Sequence, residues 1–353
     1  MSQFSYNKTQ HPFFDTLQQR VYSYFEEKQL DMTGGGKLMF KAALYIAAAV
    51  VNYCLLLFVV PVGWWSVLLC MAMGFLLAAI GFNIMHDGAH GSFSKYNWLN
   101  NLMGMSLNVM GGDVNLWKIK HNLIHHSFTN VNGMDDDINI EPYVRTNKFQ
   151  KKYAAHRFQH WYVTFLYALT YLNWIGYADF EKYFTNKVGD VKFRKLNWQS
   201  HISFWVGKLG FLTIAFVIPL FMFGFLKTLV GFIIITFTCG ILLALVFQVA
   251  HVVEETSFLS GEDKKTEDEW AVTQLKGTAN FSTHNPIMLF LTGGLNHQIE
   301  HHLFPRISHV HYPEISKIVK STAKEFGIQY HEYRTFFRAV ASHYAHLKTM
   351  GVA

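Results

Sequence analysis

The sequence predicts an all-α integral membrane protein, with four transmembrane helices in two hairpins and a cytosolic helical cap that holds a histidine-rich metal site. Three observations lead there. Two long pairs of apolar segments interrupt an otherwise polar chain, the basic residues avoid the short turns inside those pairs, and eight of the nineteen histidines fall into HDGAH (86–90), HNLIHH (121–126) and HQIEHH (297–302).

The segment 1–40 is polar and amphipathic, without an early apolar core of the kind that marks a cleaved signal peptide. MTGGGK at 32–37 reads as a flexible joint. From Ala42 to Met85 no charged residue occurs, and Pro61, Gly63, Trp64 and Trp65 sit near the middle. This predicts a hairpin over 41–85, each half long enough to cross a hydrocarbon core at about 1.5 Å per residue. A second hairpin is predicted over 201–250, with spans at 203–226 and 228–250, Lys208 snorkelling near one end and Lys227 at the turn. The segment Trp161 to Ile175 is aromatic but short for a span, and reads as a helix lying in the interface or under the cap. Regions 86–200, with the first two clusters, and 251–353, with the third, complete one integrated domain.

Lys and Arg number 5 in residues 1–41, 13 in 86–200 and 10 from residue 251 onward, against only Lys208 and Lys227 between. The positive-inside rule then places both termini and all three clusters in the cytoplasm. The net charge of +6 follows from that topology, and no nucleic-acid motif accompanies it. Cys54, Cys70 and Cys239 all fall within predicted spans and read as small core residues rather than a disulfide framework.

Residues four apart share a helix face, so His86 with His90, His121 with His125, and His297 with His301 could each present two imidazoles in one direction. His126 and His302 would point about 100° further round and could reach a second metal. Imidazole suits iron, zinc, copper or nickel alike, so the spacing does not name the metal. Asp87, Glu254 and Glu300 stand beside ligand candidates and could accept the remaining ring N–H. The run Asp135, Asp136, Asp137 could cap a helix, support the metal shell or simply be solvated. His156, His160, His201, His309 and His311 lack the clustering and read as surface or interfacial residues.

GFNIMHDGAHGSFS, WKIKHNLIHHSFTNVNGMDDDINIEP and GGLNHQIEHHLFPRISHVHYPEI resemble the three histidine boxes of membrane fatty acid desaturases, closest to the front-end, linoleoyl-type acyl desaturases of bacteria. The resemblance implies two iron ions held almost wholly by histidine, O2 as co-substrate, and removal of two vicinal hydrogens from a fatty acyl chain. It also implies an acyl-lipid or acyl-CoA substrate in a bacterial cytoplasmic membrane. A ninth ligand is implied between the fourth span and the third box, where His251 is favoured over His284. The expected ligand set is therefore His86, His90, His121, His125, His126, His251, His297, His301 and His302. Many front-end members begin the third box with Gln, whereas this box reads as starting at His297. HPFF at 11–14 does not match the HPGG heme motif of fused cytochrome b5 domains, so a separate ferredoxin or cytochrome b5-like donor is expected. A membrane di-iron hydroxylase is the near alternative. A non-catalytic zinc-binding receptor is the distant one, and a transporter would place ionisable groups along its spans, which these lack.

Overall fold

The computed structural model describes residues 4–7, 12–189, 191–263 and 265–353; His11 of HPFF and Lys264 of the charged loop lie outside the described residues. Four helices are long and apolar enough to cross a membrane: α2 (Gly35–Val59), α3 (Trp64–His90), α7 (Trp198–Phe223) and α8 (Phe225–His251). Around them lie α1 (Pro12–Lys28), α4 (Asn97–Gly104), α5 (Val114–Lys118), α6 (Gln159–Asn173), α9 (Trp270–Gly277), α10 (Pro286–Thr292), α11 (Gln298–Leu303), α12 (Tyr312–Glu325) and α13 (Phe336–Val352). The strands described are two-residue pairs, such as Val131–Asn132 alongside Leu259–Ser260, which tie loops together.

The span boundaries differ from the expected ones, because charge alone is a poor guide to where a helix begins. Lys41 lies inside α2 and is buried, its Nζ 3.2 Å from His309 Nε2, so the helix starts at Gly35 and takes up part of MTGGGK. α3 continues through the first histidine cluster to His90. The second turn is at Gly224, whose φ of 76° suits glycine, and Lys227 sits in the first turn of α8. Lys208 does not snorkel. It is buried, and its ammonium donates to Asp179 Oδ2 (2.8 Å) and to the carbonyls of Gly111 (2.6 Å) and Ile175 (2.9 Å).

That buried pair pins α7 to the segments that precede it. Lys208→Met should leave the Asp179 carboxylate buried and unpaired, at a cost of roughly 3–5 kcal/mol. A matching fall in thermal midpoint in detergent, largely restored in Lys208→Met/Asp179→Leu, is the expected result; an unchanged midpoint in the single variant would show the pair to be dispensable.

α6, the short aromatic segment, packs on α8 and α13 and is not among the four spans. Its backbone approaches so closely that a Cβ at Gly240 of α8 would stand 2.6 Å from the Ala168 carbonyl oxygen. In the cap, Phe13, Leu17, Val21 and Phe25 recur every four residues along α1 and are buried against Leu275 of α9, Ile299 and Leu303 of α11, and Ile315 and Val319 of α12. Each such burial contributes about 1.5–3 kcal/mol. The amphipathic N-terminal helix thereby braces the short helix that carries the third histidine cluster.

Candidate metal centre

Two span ends, a π-helix and a short helix converge beneath the cap. The first cluster is the last turn of α3, reached through a π-helical turn at Gly81–Met85 and ended by Gly91, whose φ of 77° forms the left-handed cap. The second begins after Asp113, whose Oδ1 accepts from the Leu116 (2.9 Å) and Asn115 (3.1 Å) amides to start α5. α5 runs directly into a π-helix over Ile119–His125. The third lies on α11, and His251 is the last residue of α8.

His86, His90, His121 and His301 bring one ring nitrogen each within 4.8 Å of one another, and His125, His251 and His302 form a second such group. His126 joins His301 and His302 in a third, placing it between the two. This partition differs from the i, i+4 expectation, and the π-helix is the reason. An i to i+5 hydrogen bond, from the His126 amide to the His121 carbonyl (3.1 Å), brings His126 edge-on to His121, with their Nε2 atoms 3.3 Å apart. His125 stays stacked on His121 at 5.0 Å between ring centres, while a ring nitrogen of it lies with those of His251 and His302.

The structure does not bring His297 into these groups. α11 starts one residue later, at Gln298, and His297 has non-helical torsions (φ −110°, ψ 57°), so the expected pairing with His301 is absent. The residue that faces the centre is Gln298, its Nε2 2.9 Å from His251 Nε2 and 3.2 Å from His302 Nε2. The box is therefore correctly read as Gln298-x-x-His301-His302, with Gln first; the sequence carried that spacing, and starting one residue early hid it. His284 is far from the groups, with a side chain 89% exposed, 3.8 Å from Glu332.

The buried nitrogens fit a metal. His86, His90, His125 and His301 leave Nε2, and His251 leaves Nδ1, without a hydrogen-bond partner inside the protein. A buried polar atom left unpaired costs about 1–3 kcal/mol, and a metal ion would satisfy the four Nε2 atoms, whereas His251 turns its Nε2 toward Gln298.

Opposite ring atoms are held from behind. His121 Nδ1 meets Asp137 Oδ2 at 2.8 Å, and His125 Nδ1 meets Asp135 at 2.9 Å. His302 Nδ1 lies 2.8 Å from Gln274 Oε1, and His301 Nδ1 lies 3.2 Å from the Tyr312 hydroxyl. Burial lowers the pKa of His121 to about 4 despite Asp137, so its ring is neutral near pH 7. At His125 burial also disfavours charge, but Asp135 overcomes it and the pKa is raised. Lys120, paired with Asp137, holds that carboxyl well below the usual range against the opposing effect of burial. Protons are thus kept on the Nδ1 atoms facing the carboxylates, leaving Nε2 of His121 and His125 for the metal side.

The carboxylates expected in this role do something else. Asp87 accepts from Ser308 Oγ (2.7 Å) and faces His309 Nδ1 (3.0 Å). Glu300 accepts from Asn280 (2.7 Å) and Tyr330 (2.9 Å), with His297 Nδ1 at 3.6 Å, and Glu254 is exposed. Asp136 pairs with Lys182 at 3.0 Å. Two histidines read as surface residues are buried: His309 against Asp87 and Lys41, and His156 against the Pro142 carbonyl. Gln274, Tyr312 and Thr129, whose hydroxyl lies 3.1 Å from His302 Nδ1, stand outside the clusters they support, and no local signal marks them.

Comparison with known proteins agrees with this geometry. A sequence model described as fatty acid desaturase matches residues 62–334. A protein of Arthrospira platensis named sn-1 linoleoyl-lipid 6-desaturase is 35% identical, over 96% of this chain and 93% of its own. One of the same name from Synechocystis is 35% identical over 97% and 96%. An acyl-lipid (8-3)-desaturase of Physcomitrium patens is 37% identical over 96% and 72%. With four apolar helices, two of which end at a buried histidine cluster, and a match over most of its length, the chain belongs to the fatty acid desaturase family.

Proposed function

We propose that this oxidoreductase is a front-end acyl-lipid desaturase that places a cis double bond near the carboxyl end of a membrane lipid's acyl chain, as the names of its relatives suggest. The observation that carries the reading is the pair of buried histidine groups whose ring nitrogens converge, with Nε2 of His86, His90, His125 and His301 left without protein partners. His86, His90, His121 and His301 would hold one iron, and His125, His251 and His302 the other, with His126 and Gln298 between or beside them. Two irons so held supply the redox chemistry with O2 that removes hydrogen from an unactivated methylene, which no side chain can supply.

The protein's own residues do the rest. Asp137 and Asp135 keep protons at Nδ1 of His121 and His125 and so orient the rings. Trp117, stacked on His121 at 4.4 Å between ring centres, and Phe247, 5.2 Å from His125, form apolar walls that exclude water. Both termini and the metal centre face the cytoplasm in this reading, by the distribution of basic residues. Electrons come from a ferredoxin or cytochrome b5-like carrier, drawn by basic side chains such as Lys317 and Lys324.

The test is expression in a bacterial host supplied with linoleate and a compatible donor, with total acyl chains analysed by gas chromatography and mass spectrometry. A new double bond on the carboxyl side of the existing ones is expected. A hydroxylated chain would replace desaturation by hydroxylation, and a double bond on the methyl side would overturn the front-end reading.

A further inference from the structure

A cavity of about 590 Å³ opens beside the metal centre, within the range of sites that hold small molecules. His90 and His126 form part of its wall, and Lys118, Asn122, Asn101 and Arg306 form the rest of the side that concerns recognition. Arg306 is exposed and makes no ion pair or hydrogen bond among the described residues. Lys118 has only the amide oxygen of Asn101, at 3.5 Å. Asn122 donates to the Ala89 carbonyl at 3.0 Å and leaves its buried Oδ1 without a partner. Such a wall is built for an oxygen-rich, anionic group.

The neighbours of the lining residues are of the opposite character. Trp98 and Leu102, next to Asn97 and Asn101 on α4, are 66% and 52% exposed, and Leu123, next to Asn122, is 61% exposed. A polar cavity on segments that also carry exposed apolar side chains suits the bilayer interface, where an amphipathic helix beds its apolar face among acyl chains.

We infer that this cavity takes the ester end of a membrane phospholipid, with Arg306 and Lys118 on its phosphate and ester oxygens, and that it sets the double-bond position by measuring from that end. The inference rests on the desaturase reading above. The ruler is short by construction. Lys118 and Asn122 belong to the helical run that carries His121, and Arg306 stands in the turn just after α11, so both cations share one cavity with the candidate ligands His90 and His126. Only carbons close to the ester can then lie against the metal side of the cavity.

The experiment uses the full chain in vesicles that contain dilinoleoyl phosphatidylglycerol at varied mole fraction, with metal content measured alongside. Arg306→Gln and Lys118→Met should each raise the apparent KM for the phospholipid by about tenfold, the loss of one charge-assisted hydrogen bond, while leaving metal content unchanged. The double variant should also scatter the double bond over neighbouring positions. Asn101→Trp, which fills the exposed mouth and keeps both cations, should raise the same KM. Unchanged KM in all four variants, with an unchanged position in the double variant, would overturn the inference, as would a rise in KM for the electron carrier alone, which would make this face the donor's dock. A wild-type protein that forms no double bond would instead defeat the desaturase reading itself.

Discussion

His301→Ala is expected to abolish product formation and to empty both metal positions, while His125→Ala abolishes product but retains metal at one. The difference follows from the geometry. The His301 ring joins the group of His86, His90 and His121 and also that of His126 and His302, whereas His125 meets only the group around His251 and His302 and the carboxylate side. Both side chains are buried, so truncation leaves a small polar cavity, but neither contributes to the apolar surface that inserts the four spans. Membrane-fraction yield should therefore stay near wild type while iron per chain, measured by mass spectrometry of the metal, falls in steps. Near-normal turnover in both variants would remove these residues from the metal centre.

Asp137→Asn should cost about 10–100-fold in metal affinity or activity with no ligand altered. The carboxylate holds His121 Nδ1 at 2.8 Å and pairs with Lys120, and its loss leaves that half-buried ammonium short of a partner. The amide keeps the shape but offers no charge and can present an N–H to the ring, favouring the tautomer that places a proton on Nε2, the nitrogen needed for metal. Slower iron loading and weaker retention against a chelator are the readouts. Asp136→Asn is the internal control, since Asp136 faces Lys182 at 3.0 Å rather than a histidine. Equal effects at the two positions would show the run to be a general stabiliser and not a support for the centre.

The contrast between those neighbours shows where reading by sequence stops. Three successive aspartates are chemically identical along the chain, yet the loop that follows the π-helix points Asp135 and Asp137 at ring nitrogens and Asp136 at a lysine. The same holds for Lys208, which has the spacing of a snorkelling residue and the surroundings of a buried ion pair. A charge near a span end can satisfy itself in water or on a partner, and only the tertiary fold decides.

Composition and order along the chain by themselves determined the membrane class, the four spans and the three histidine clusters, because apolar length and imidazole spacing are local properties. The tertiary structure alone decided how the clusters divide. The π-helix kept His125 stacked on His121 but brought the Nε2 of His126 to that of His121, the late start of α11 put Gln298 in the place given to His297, and separate segments supplied Gln274 and Tyr312. A one-residue change in helical phase swings a side chain by about 100°, so the identity of the ligand candidates was legible while the metal each one faces was not.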